Sequence, residues 1–287
     1  MGGSPAELQT RINVVTALSS GLGLQLNPSK CRTLHLTGRH PVGTRPTTFC
    51  IGEAEIPHMT DFEAHTFLGR PVGYRVLPDT ACVDDAIALG RCLLSSMLAP
   101  WQRLDAIKTF LYPALNFAMR VGAVGKEEWR RLDDTLRPLI KRTLYLPANS
   151  SNKYLYGSAG AGVAGIPEAA DISDACRIDG AFKLLSSPDS EVRDLALQAV
   201  TRVTEKRLRR PVAAEDVAAY LSGDTEGDFR ATSTQLQSVW TEARKASRRA
   251  GVTWELVPEG ARIACGGTTI SPKHRHKPGK GDGVCRR

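Results

Sequence analysis

Two adjacent carboxylate pairs, Asp84-Asp85 and Asp133-Asp134, have the type and spacing to hold divalent metal ions for phosphoryl chemistry. Both fall in segments of helical pattern. Asp84-Asp85 sits where a helix begins, a position that favours negative charge by itself. Neither pair follows a hydrophobic strand, so neither reads as an active site. Cys265, His274, His276 and Cys285 are zinc-ligand types, but their spacing matches no recurrent pattern and two of them lie in a basic tail. The run from Gly160 to Gly165 has the glycine content of a phosphate-cradling loop. It lacks the Lys-Ser/Thr of a P-loop and no strand precedes it, so a nucleotide site is rejected there. The remaining histidines are scattered. No catalytic and no metal-binding residue is assigned.

The chemistry left is the binding of anions by cations carried on helices. From Lys126 to about Leu146, Trp129, Leu132, Leu136, Leu139, Ile140 and Leu144 share one face of a helical wheel. Arg130, Arg131, Arg137, Lys141 and Arg142 share another. Pro138 interrupts this pattern and is expected to split the element. From Thr234 to Ala250, Leu236, Val239, Trp240, Ala243, Ala246 and Ala250 lie together, opposite Arg244, Lys245, Arg248 and Arg249. Four cations with no acid among them suit a phosphate backbone. Taken singly, a basic helix face also fits an ordinary solvated surface. A further cluster, Arg202, Lys206, Arg207, Arg209 and Arg210, closes a helix before Pro211, where cations suit the helix dipole.

The elements that must carry these residues change character along the chain. Residues 1–78 read as mixed α/β. Ser4-Pro5-Ala6-Glu7 forms a capping box for a helix in which Leu8, Ile12, Val15 and Leu18 recur at helical spacing. Gly21 and Gly23 end that helix, Asn27-Pro28 turns the chain, and residues 32–37 alternate as a half-buried strand. Phe49–Ile51 and Ala54–Ile56 flank a tight turn at Gly52-Glu53. From Asp79, read as a helix cap, the pattern is helical. Pro100 opens another helix that Pro113 should kink or end. Two helices divided by Ser186-Ser187-Pro188 follow, then an acidic stretch, 211–229, that reads as a boundary.

The 287 residues allow one large domain or two modest ones, and 41% hydrophobic with 24% charged residues is a globular composition. No apolar run approaches the ~18 residues of a membrane span, and the N-terminus lacks the pattern of a signal peptide. Seven cysteines without a Cys-x-x-Cys pair indicate a reducing compartment, cytoplasm or nucleus. Of the net charge of +8, residues 273–287 supply +5. The body is nearly balanced, so the placement of charge carries the argument for an anionic partner.

Several blocks in order resemble a known family. The run Gly21-Leu-Gly-Leu-Gln-Leu-Asn-Pro-Ser-Lys-Cys31 is followed by Phe49-Cys-Ile-Gly52, Ile56-Pro57 and Phe67-Leu-Gly69. Then come Trp101-Gln-Arg-Leu104, Pro113-Ala-Leu115, Leu144-Tyr-Leu-Pro147 and Gly162-Val-Ala-Gly-Ile-Pro167. The last departs from the family's Gly-Gly-Leu-Gly at its centre. Ser238-Val-Trp240, Arg248 to Trp254, Gly267 to Ile270 and Lys273 to Lys277 complete the series. Together they resemble the reverse transcriptases (Pol polyproteins) of site-specific, LINE-like non-LTR (type-1) retrotransposable elements.

The resemblance implies a mainly α fold with a small α+β N-terminal part. A palm remnant with the primer-grip hairpin would occupy 1–78, a helical thumb 79–210, a helical linker 211–277 and a flexible basic tail 278–287. It places Phe67, Leu68 and Gly69 at the primer end and the cations of the two basic helices on phosphates. The implied partners are RNA template and DNA primer, and the catalytic half of the polyprotein, with no membrane. The family's catalytic aromatic-Ala-Asp-Asp turn is expected shortly before Met1, so nucleotide addition by this chain alone is not expected. No cofactor is assigned here, and Mg²⁺ is expected only for the complete polymerase. The alternatives are a transposon-derived helical protein-interaction scaffold and an inert, decayed open reading frame.

Overall fold

Ser4 accepts the Glu7 N–H at 3.2 Å and Pro5 fills the first turn, so helix α1 (Pro5–Gly21) starts where the sequence places it. The computed structural model describes residues 4–38, 40–67, 69–76, 80–121, 124–157, 159–230, 238–266 and 268–270. The chain divides into two units, Met1–Pro78 and Asp79–Arg287.

In the first unit, strands form antiparallel pairs: β1 (Leu36–Thr37) with β2 (Gly43–Thr44), β3 (Phe49–Ile51) with β4 (Ala54–Ile56), and β5 (Ala64–Phe67) with β6 (Arg70–Gly73). Gly52 turns the β3–β4 hairpin at φ +60°, a conformation that costs glycine little. The strand expected over 32–37 shortens to a bridge from Thr33 to His58 and the two residues of β1. Phe49, Ile56 and Met59 are the buried apolar residues here. Helix α1 joins them through the Gln9 amide, which donates to Cys50 O at 2.9 Å and accepts its N–H at 3.0 Å. None of its residues is buried. Val15 and Leu18, two of its apolar residues at helical spacing, are 51% and 65% exposed.

The second unit is helical with a small sheet. Helices α2 (Ala81–Ser95), α3 (Pro100–Ala106) and α4 (Tyr112–Val121) precede α5 (Lys126–Thr143) and the single turn α6 (Lys153–Tyr156). The expected cap Asp79 lies outside the described residues, and Thr80 occupies the position before α2. Between α3 and α4, residues Ile107–Leu111 form a π-helical turn, with the Tyr112 N–H reaching Ile107 O. This wider turn carries the chain through Pro113 without a break.

Pro138 does not split α5. It sits on the exposed side, while Leu136 and Ile140 beside it are 1% exposed and hold both halves to one core. The backbone bond that Pro138 forfeits is therefore on the solvent face.

Helices α7 (Ala169–Leu185), α8 (Ser190–Leu208), α9 (Ala214–Ser222) and α10 (Val239–Ala250) follow. A meander β7 (Thr253–Val257), β8 (Gly260–Cys265), β9 (Thr268–Ile270) closes the described chain. Two elements here correct the sequence reading. The boundary 211–229 contains α9, which buries Val217, Tyr220 and Leu221, and the stretch 211–277, expected to be a helical linker, carries the strands β7 to β9 among its described residues. One apolar cluster is built on α2 to α5, with Ile107, Trp129 and Leu132 at its centre. The other gathers Phe182, Val200, Tyr220, Trp240 and Trp254. Helix α7 belongs to both, packing on α4 and α5 and on α8 and α10.

Candidate nucleic-acid interface

Phe67 and Arg70 pair across the β5–β6 hairpin, with Gly69 at φ +75° in its tip. Phe67 is 64% exposed, so its ring stands free beside the turn. Leu68, assigned with them, lies outside the described residues. The hairpin is tied to the Asn27-Pro28 turn by His65 Nε2, 3.1 Å from Lys30 O. Asp61, just before it, accepts the Thr44 N–H and hydroxyl at 2.7 and 2.6 Å, and these bonds hold its carboxyl below the ordinary range.

The cations of α5 do not form one free ridge. Arg130 pairs with Glu127 at 2.7 Å, and Arg131 with both Glu128 and Asp84 at 2.8 Å. Arg137 is half-buried, bound to Asp134 at 2.7 Å and to the Tyr156 hydroxyl at 3.1 Å. Lys141 is corrected outright as a surface cation. It is 8% exposed, and its ammonium donates to Ala148 O at 2.9 Å and Ser150 O at 2.7 Å, closing the loop after α5. Arg142 is exposed and has no acidic partner among the described residues.

Helix α10 divides in the same way. Its expected first residues, 234–237, lie outside the described residues, and Ser238 caps it by accepting the Thr241 N–H at 3.1 Å. Trp240, Ala243 and Ala246 are buried as the pattern predicts, whereas Val239 is exposed. Arg244 donates to Tyr220 O at 2.7 Å and to Asp224 O, with its guanidinium 4.8 Å from the Tyr220 ring centroid. Burial lowers its pKa. Arg249 donates from Nε (2.9 Å) and Nη2 (2.5 Å) to Asp174 on α7, which also accepts Lys126 at 2.5 Å. Arg244 and Arg249 thus hold the fold. Lys245 meets Glu242 at 2.9 Å, and Arg248 is exposed and makes no salt bridge among the described residues. The face read as free of acids acquires them from its own helix and from α7.

Neither carboxylate pair gathers a metal-holding set. Asp133 is 4% exposed and accepts the N–H groups of Ala169 (2.8 Å) and Ala170 (2.9 Å), capping α7 from a neighbouring helix. Burial pushes its carboxyl up to about 6 against those two hydrogen bonds. Asp84 is engaged by Arg131. Among the described residues no group of three or more His, Cys, Asp or Glu could hold a metal ion. His274, His276 and Cys285 lie outside them. The Gly-rich turn is a corner: Ala164 and Ile166 N–H bond Tyr154 and Leu155 carbonyls, which seats Ile166 in the core. In the cluster that closes α8, Arg210 is structural, held on Asp216 and Asp228, and Arg207 donates to Phe229 O at 3.0 Å.

One cationic site escaped the sequence reading. Arg91 on α2, Arg103 on α3 and Arg142 at the end of α5 line an open cleft of about 320 Å³ with Tyr145 beside them. Leu94 and Leu139 form part of its wall, and no carboxylate lines it. Its members come from three helices, so no linear spacing announces it. The signal available was only that Arg91 and Arg142 lack an acid three or four residues away on the side that packs.

No family profile matches the chain. Over 165 residues it is 27% identical to the retrovirus-related Pol polyprotein from type-2 retrotransposable element R2DM of Drosophila melanogaster. The match covers 56% of this chain and 15% of that protein, so this chain spans a small part of its relative's length. The motif resemblance and this similarity are both to retrotransposon Pol polyproteins, although the relative is from a type-2 element where the motifs were read as type-1. No helix among the described residues is long and apolar enough to cross a membrane.

Proposed function

We propose that this chain is a portion of a retrotransposon RNA-directed DNA polymerase that positions RNA template and DNA primer. The observation that carries the reading is the similarity to a retrotransposon Pol polyprotein over more than half of the chain. The exposed Phe67 of the β5–β6 hairpin suits a grip on the primer end, and Arg142 and Arg248 suit phosphate contacts. Arg130, Arg131 and Lys245 are exposed enough to exchange a carboxylate for a phosphate. Such cations orient a nucleic acid without reading its sequence.

Mg²⁺ would serve the polymerase by holding the primer hydroxyl and the leaving phosphate. The two Asp-Asp pairs here do not fit that ion, since Asp133 is sealed on two backbone N–H groups and Asp84 on Arg131. The contribution assigned to this chain is therefore positioning. The exposed Val14, Val15 and Leu18 of α1 offer an apolar face suited to the catalytic half of the polyprotein.

The test is binding of a labelled RNA–DNA primer–template by the purified chain across a salt series. Replacing Arg130, Arg142 and Arg248 with Gln should lower the slope of log affinity against log salt by about 2 to 3 while leaving the fold intact. An unchanged slope in a folded triple variant would refute the assignment of these residues. No nucleic-acid binding by the parent chain would refute the function.

A further inference from the structure

We propose that the cleft between α2, α3 and the end of α5 receives one unpaired nucleotide of a nucleic-acid strand, its phosphate on Arg91 and Arg142 and its base on Tyr145. The proposal rests on the nucleic-acid reading above and names the part of the strand that reading leaves open.

Three features of the cleft point to an anion. Three guanidiniums line it and no carboxylate does, whereas Arg130, Arg131 and Arg137 on the same helix as Arg142 are each answered by an acid. Arg103 is fixed at the wall by Nε on Leu98 O (2.8 Å) and Nη1 on Leu94 O (3.1 Å). Its charge is not neutralised by these carbonyls, so it adds to the field on Arg91 and Arg142. Like charges gathered in one cleft repel, and a phosphate converts that cost into attraction. Guanidinium forks match phosphate oxygens in pairs.

Tyr145 makes the partner a nucleotide. It follows α5 at φ +56°, the left-handed region in which helices ordinarily place glycine. Leu146 N–H reaches back to Lys141 O at 2.9 Å, a helix stop that glycine would make without strain and tyrosine does not. The ring gains nothing from packing, because Tyr145 is 86% exposed. An aromatic side chain in a strained backbone position, standing in water beside three arginines, is explained by a base stacked on it. A base must be unpaired to stack there. The cleft, of about 320 Å³, is open to solvent.

The experiment uses the full chain and labelled single strands of about 15 nucleotides, DNA and RNA, each against an abasic strand of equal charge. The parent chain should bind the base-bearing strand about tenfold tighter than the abasic one. A preference in either DNA or RNA supports the proposal, and the stronger of the two identifies the occupant. Tyr145→Ala should erase the preference. Tyr145→Gly should erase it as well while raising Tm by about 1–3 °C, since glycine relieves the left-handed backbone. Arg91→Gln with Arg142→Gln should weaken both strands and reduce the salt slope. Tyr145 variants that keep the full preference, with primer–template binding intact, would overturn the cleft proposal alone. Loss of all nucleic-acid binding in the parent chain would overturn the function with it.

Discussion

Asp133→Asn separates a structural carboxylate from a catalytic one. The parent side chain is 4% exposed and bridges two helices by accepting the first two N–H groups of α7. Burial raises its pKa to about 6, Glu168 pushes the same way, and Arg137 opposes them. An unfolded Asp titrates near 3.9. Between those values the native state binds more protons than the unfolded chain, so this group's contribution to stability grows as pH falls through 6 and levels off below about 4. From pH 7 to pH 4.5 the gain is about 2 kcal/mol. Asn cannot titrate. It keeps one acceptor oxygen and turns an amide NH₂ toward the other backbone N–H, so it resembles the protonated acid with one bond lost. The variant should lie within about 1 kcal/mol of the parent at pH 7, where relief of the buried charge offsets that bond. At pH 4.5 it should trail the parent by about 2 kcal/mol more. Urea denaturation of both proteins at a series of pH values measures the difference. A gap that stays flat from pH 7 to pH 4.5 would refute the raised pKa. A gap that narrows on acidification would mean that the two N–H bonds and the α7 dipole outweigh burial.

Lys141→Met should cost about 1–3 kcal/mol by leaving the Ala148 and Ser150 carbonyls without their donor, and should leave the salt slope of nucleic-acid binding unchanged even where affinity falls, because Lys141 itself reaches no phosphate; chemical denaturation and a salt series on one sample check both. The neighbours Arg248 and Arg249 should behave oppositely. Arg249→Gln should destabilise by about 1–3 kcal/mol, because Asp174 then keeps, among the described residues, Lys126 alone as a salt-bridge partner. Arg248→Gln should change stability by less than about 0.5 kcal/mol and lower the salt slope of binding by about 1.

Legibility followed how local the cause was. The start of α1 was readable because Ser4, Pro5 and Glu7 act within one turn, and the β3–β4 hairpin because Gly52 alone sets its turn. Pro138 misled because its effect on α5 depends on which side of the helix faces the core. Helix α9 was hidden by acidic neighbours, although Val217, Tyr220 and Leu221 have helical spacing. The β7–β8 pair alternates, with Trp254 buried between exposed Thr253 and Glu255, but a basic helix just before it drew the reading toward more helix. For the site, Glu127, Glu128, Asp134 and Glu242 were each three residues from the cation they pair, and a wheel drawn for cations alone passed over them. The Arg249–Asp174 bond spans 75 positions and the Arg91–Arg142 cleft three helices, and no local pattern encodes either.

The cations that turned out to be structural are also what makes the free ones useful. Arg249 is locked on Asp174, which fixes the rotation of α10 about its own axis. On the other side Gly223, at φ +91°, lets the chain pass so close that an added methyl group would lie 2.5 Å from Arg248 Cβ. Arg248 therefore leaves a backbone held from two directions. Lys141, by closing the loop after α5, holds in the same way the turn that carries Arg142 and Tyr145. A cation on a fixed stem loses less freedom on meeting a phosphate than one on a loose helix. This arrangement reconciles a nearly neutral body with the nucleic-acid partner proposed above: a few free cations, rigidly mounted, would replace a broad basic field.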